Sequence, residues 1–113
     1  MWEHPSNTQV KKLKKRYSTL YAQLEPIVNE WDPIGLIEGG APKDEYDCIT
    51  VQLIELLQQG MNHNDVFEFI VKELDDHFGM GIRSVADEYR EQFIKKHRDF
   101  SISLVNWYSK TRG

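Results

Sequence analysis

Cys48, the one cysteine of this 113-residue chain, sits in the acidic run DEYDC. A thiol in the first turn of a helix is drawn toward thiolate by the helix dipole, but Glu45 and Asp47 beside it oppose that pull. A small, inert core residue fits Cys48 better than a nucleophile. Glu73 and His77 stand four apart and would meet on a helix face, a spacing that a surface contact also explains. His97 falls on an apolar helical stripe, the place of a packed, hydrogen-bonded histidine. Neither His77 nor His97 has an acid three residues earlier, as a di-iron bundle requires. No His-Glu-x-x-His, paired Cys-x-x-Cys or calcium-loop pattern occurs. The glycine pair of FGMGIRS lacks the third glycine and the preceding strand of a nucleotide fingerprint, and a helix stop accounts for it. The expectation is a chain that is not an enzyme, with no metal and no cofactor.

The chemistry left is that of recognition. Glu30 to Asp47, EWDPIGLIEGGAPKDEYD, holds six acids, two prolines and three glycines. Asp32 precedes a proline and is steered away from helix, so a loop is expected over 32–43. That is long for a helix–helix connection, and such loops often bind. Asp44 and Asp47 suit the start of a helix, where acids meet the positive end of the dipole. Glu38 and Glu45 have no such duty. A structural lid is the plainer reading, with Ile34, Leu36 and Ile37 packed over one end of the fold. The binding reading takes Trp31, Asp32, Glu38, Asp44, Glu45 and Tyr46 as a partner-facing set, the acids steering a basic protein and the aromatics anchoring it.

KKLKKR at 11–16 offers the opposite charge. Lys11, Lys12, Lys15 and Arg16 can be solvated on one side of a helix while Leu13 faces inward. The overall acidity and the isolated aromatics weigh against nucleic acid as the partner, which stays an alternative.

The elements that must position these residues read as four helices, at about 6–31, 44–59, 63–78 and 84–110, in a single domain over 1–113. Val10, Leu13, Tyr17, Leu20, Leu24, Ile27 and Trp31 recur at helical spacing, with Ser6 and Gln9 as a capping box. Pro26 predicts a kink or break. The later stripes are Tyr46, Ile49, Leu53, Ile54 and Leu57; then Phe67, Ile70, Val71, Leu74 and Phe78; then Val85, Tyr89, Phe93, Phe100, Leu104 and Trp107. Each helix has one apolar face, so the expected fold is an all-α compact four-helix bundle with a long structured loop between the first two main helices.

The formal net charge of −4 hides a division. Residues 1–31 carry five bases and three acids (+2), 32–78 two and eleven (−9), and 79–113 seven and four (+3). Two copies would complement one another, so a homodimer is one expectation. No apolar run is long enough for a membrane span, and the N-terminal stretch lacks a secretory pattern. With a single cysteine, these features fit a cytoplasmic protein.

Trp31, Asp32, Pro33, Ile34 and Gly35, with Pro42, Asp44, Glu45, Tyr46 and Asp47, carry a resemblance. The combination of WDPIG and DEYD is similar to small bacterial helical proteins of the Bacillus YugE type, a domain of unknown function. It covers about the first two-thirds of the chain and implies a compact helical fold in the bacterial cytoplasm, but no activity. The expected function is a non-enzymatic protein-binding module, in one version toxin-neutralising like an immunity protein. The alternatives are a small-ligand protein or enzyme with Asp44, Asp47 and His77 lining a pocket, and nucleic-acid binding through KKLKKR.

Overall fold

The structure, a computed structural model, describes residues 6–32, 38–40, 46–78 and 85–112. Among these the chain is all-α, with five helices and no strand. They are α1 (Asn7–Arg16), α2 (Ser18–Trp31), α3 (Asp47–Gln58), α4 (His63–Phe78) and α5 (Asp87–Arg112). No helix of the described residues is long and apolar enough to cross a membrane. The chain forms two compact units, Met1–Leu56 and Leu57–Gly113.

In the first unit, Ser6 starts α1 through a capping box. Its hydroxyl accepts from the Gln9 N–H at 3.2 Å, and the Gln9 side chain accepts from the Ser6 N–H at 2.9 Å. Lys14, Lys15 and Arg16 occupy the last turn, where cations complement the negative end of the dipole. The helix count is five rather than four because the first long helix is broken at Tyr17, not near Pro26. Tyr17 leaves helical geometry (φ −109°, ψ 34°) and serves as the last cap of α1 and the first of α2. The break strands neither backbone group of Tyr17: its N–H reaches Leu13 O at 2.9 Å and its carbonyl accepts from Tyr21 N–H at 2.8 Å. Pro26 is carried inside α2. It lies on an exposed side, where a carbonyl deprived of its helical donor can be hydrated.

Tyr21, Leu24 and Val28 form the buried face of α2. In α3 the burial is not confined to the expected stripe. Ile49, Thr50, Val51, Gln52, Leu53, Ile54, Leu56 and Leu57 are all buried. A helix buried all round must satisfy its polar side chains internally. Thr50 Oγ1 accordingly donates to the Tyr46 carbonyl at 3.0 Å, and Gln52 Nε2 to the Cys48 carbonyl at 3.0 Å. Cys48 itself is half-buried.

In the second unit, Asn62 and Asp65 cap α4 reciprocally, with bonds of 3.0 and 3.3 Å. Its buried face is Val66, Phe69, Ile70, Glu73 and Leu74, rotated from the expected one. Phe67 and Val71 are only half-buried; the Arg98 guanidinium lies 5.1 Å from the Phe67 ring centre. In α5 the buried residues are His97, Ser101, Leu104 and Tyr108, whereas Tyr89, expected inward, is 55% exposed. Phe93, Phe100 and Trp107 are half-buried. The expected helix starts at residues 44 and 84, the FGMGIRS glycines and the side chains of His77 and Phe78 lie outside the described residues.

His97 is 1% exposed and meets Phe93 edge-on, with ring centres 4.4 Å apart. Burial, aided by the charge of Lys96, pushes its pKa from 6.5 down to about 4. The unfolded chain therefore binds a proton between pH 6.5 and 4 that the folded chain refuses. This contribution is fully present above pH 6.5 and is lost as pH falls toward 4, amounting to up to about 3 kcal/mol. Urea unfolding of wild type and His97→Gln at pH 7 and pH 4 should show the larger loss in wild type. Equal losses would mean that His97 titrates as it does when unfolded.

Candidate functional site

Asp32 closes α2 in the left-handed region (φ 42°, ψ 65°), the one non-glycine residue with positive φ among the described residues. Aspartate tolerates this conformation better than most side chains because its short carboxylate bonds locally. Its N–H donates to the Val28 carbonyl at 2.9 Å. Oδ2 accepts from the Glu38 backbone N–H at 2.9 Å, and Oδ1 accepts from the Tyr46 hydroxyl at 2.6 Å. Asp32 and Tyr46 bracket residues 33–45 in the chain, so one carboxylate joins the two ends of the acidic segment and a point within it.

Of the six residues expected to face a partner, Trp31 is half-buried and Glu38 is exposed. Tyr46 is 1% exposed, so its ring belongs to the core and its hydroxyl to Asp32. Asp44 and Glu45 lie outside the described residues.

A second cluster stands at the start of α3. Asp47 Oδ2 pairs with Lys14 Nζ from α1 at 2.7 Å, and Oδ1 accepts a close hydrogen bond from the Tyr21 hydroxyl of α2. The same hydroxyl reaches Glu25 Oε2 at 2.8 Å, so one phenolic proton is shared between two carboxylates. Lys14 Nζ also lies 4.9 Å from the Tyr21 ring centre, a cation–π distance. Burial, then the bonds to Asp47 and Glu25 and their charges, drives the Tyr21 pKa far above the ordinary phenol value. Tyr21 is therefore a locked donor at neutral pH, neither base nor nucleophile, and the cluster is a clasp joining three helices. Asp47, expected as a cap or a pocket ligand, spends both oxygens on this clasp.

The sequence reading did not find Lys14 and Tyr21. The signal was present: a rotation of 100° per residue places Lys14 next to the Val10, Leu13 and Tyr17 side of α1, away from the rest of KKLKKR. Among the described residues no group of three His, Cys, Asp or Glu side chains is placed to hold a metal ion. Comparison of the chain with family models, curated proteins and solved structures finds no match.

Two stability measurements check the clasps. Replacing Asp47 by Ala leaves Lys14 and Tyr21 without their shared acceptor and should cost about 2–3 kcal/mol; a loss below about 0.5 kcal/mol would mean the cluster contributes little. For the other clasp, a double-mutant cycle of Asp32→Ala and Tyr46→Phe should return a coupling of about 1–2 kcal/mol. Strict additivity would show that the bond is not made in solution.

Proposed function

We propose that the chain is a non-enzymatic protein-binding module whose recognition surface is the acidic segment from Trp31 to Tyr46. The observation that carries this reading is the engagement of Asp32. It adopts a backbone conformation that costs roughly 1–2 kcal/mol for a side chain other than glycine. It also uses both carboxylate oxygens on the chain's own groups. Such bonding orders the ends of a segment before a partner arrives, and ordering in advance lowers the entropic cost of binding.

Within this reading the roles divide by burial. Trp31 is the half-buried aromatic that a partner would cover, and Glu38 the exposed acid that would steer it, with Asp44 and Glu45 as further acids. Asp32 and Tyr46 act from behind as supports. The complementary partner is a basic protein. A toxin neutralised by a small acidic helical protein is one form of it, an analogy of size and charge.

The test is capture from native cytoplasm by wild type and by a Glu38→Lys, Glu45→Lys variant. A protein retained by wild type alone, with unchanged circular dichroism in the variant, is the expected result. Identical captures would reduce the segment to a connector.

A further inference from the structure

α1 carries a second charged surface, of opposite sign and independent of the acidic segment. Lys11, Lys12, Lys15 and Arg16 are all exposed. At 100° per residue they fill an arc of about 140°, and Val10, Leu13 and Tyr17, all half-buried, lie on the other side. Lys11 and Lys15, like Lys12 and Arg16, repeat at about 6 Å along the axis, from 1.5 Å per residue. No acid occurs from Ser6 to Leu24. The exposed neighbours of the cations are Thr8, Gln9, Ser18 and Thr19, which are neutral hydrogen-bonding groups. Among the described residues no carboxylate pairs with Lys11, Lys12 or Lys15. The remaining lysine of the run, Lys14, is turned to Asp47 and lashes this helix to α3.

The occupant of such a face is decided by what it lacks. Among the described residues its exposed side chains are all polar, with the half-buried Tyr17 ring 5.4 Å from the Arg16 guanidinium at one edge, so a protein partner or a second copy would gain mainly exposed ion pairs, each worth little. A lipid surface would find no exposed apolar side chain among the described residues of this face to take up. A nucleic-acid backbone needs no apolar contact, because its affinity comes from releasing condensed counterions to cationic side chains. Its phosphates also accept from threonine, serine and glutamine side chains. The run of donors without acids, at a regular spacing on one anchored helix, suits that partner. The overall acidity weighs against such a partner, but charges farther off than a Debye length of about 8 Å are largely screened at physiological salt.

We propose that the outer face of α1 binds the phosphodiester backbone of nucleic acid through Lys11, Lys12, Lys15 and Arg16, without reading base sequence. The experiment is fluorescence anisotropy of a labelled 20-base-pair DNA duplex, titrated with the full chain from 50 to 200 mM salt. Four phosphate contacts predict a fall in affinity of about a hundredfold over that range, and equal binding to a duplex of scrambled sequence. In a Lys11→Gln, Lys15→Gln variant the slope of log affinity against log salt should fall by about two. Replacing the same two lysines by Arg should restore it. The wild-type salt slope tests the proposal even where a variant is unstable. Several results would overturn it: no binding at 50 mM salt, a slope unchanged by the Gln variant, or equal binding to polyglutamate. Binding to phosphatidylserine vesicles but not to duplex would do the same, as would salt-sensitive self-association without duplex binding.

Discussion

The arrangement of the first unit depends on one carboxylate. Asp47 opens α3, and its two oxygens are taken by an ammonium from α1 and a phenol from α2. Three helices thus meet at a group that is itself favoured there by the dipole of its own helix. Apolar burial is non-directional, whereas a polar contact also requires its donor and acceptor to be aligned. A partly buried carboxylate is less forgiving: with its partners displaced it would keep its desolvation cost and lose what offsets it. The break at Tyr17 serves the same end. It falls between Lys14 and Tyr21 and strands neither backbone group of Tyr17, while those two residues, seven apart, both address Asp47.

Asp32 repeats the device with a different balance. Its left-handed backbone is unfavourable, and two hydrogen bonds to a carboxylate at about 1.5–3 kcal/mol each can more than offset it. One of those bonds comes from Tyr46, whose ring is in the core. The order of the acidic segment's ends is thereby coupled to core packing. A partner that engaged Glu38 would be reading a position held from within rather than a free loop tip.

Much of the helical layout was legible in the sequence, because capping residues and three-and-four spacing are local signals. Ser6 with Gln9 and Asn62 with Asp65 cap as their types predict. The misreadings arose where tertiary demands override local ones. Pro26 is the strongest local breaker, yet the helix passes through it and stops at Tyr17, where no breaker stands. The face of α4 is rotated from the expected one because Glu73, a charged residue, is buried with Val66, Phe69, Ile70 and Leu74, and an apolar pattern leaves such a residue out. The single stripe assigned to α3 undercounted its burial, although its low charge, Glu55 alone after Asp47, hinted at a helix covered all round. At the candidate site, the Asp32–Tyr46 bond spans fourteen residues, and no periodicity reports a pairing of that kind.

The same carboxylate also explains how one short basic run serves two purposes. Five cations in six residues would repel one another on any helix. Asp47 removes Lys14 from that set and gives it a partly buried partner, which lowers the repulsion among the five. The inward lysine is held at 2.7 Å while its neighbours are exposed. The division follows from helical geometry: the residue after Leu13 stays near the apolar side, and the pairs at 11, 12 and 15, 16 rotate away from it. A chain of net charge −4 can therefore present, among its described residues, a basic face without acids, provided that the helix bearing the face is fixed by one of its own cations. The acid that fixes α1 is Asp47, the residue after Tyr46, so the basic helix is tied to the start of α3.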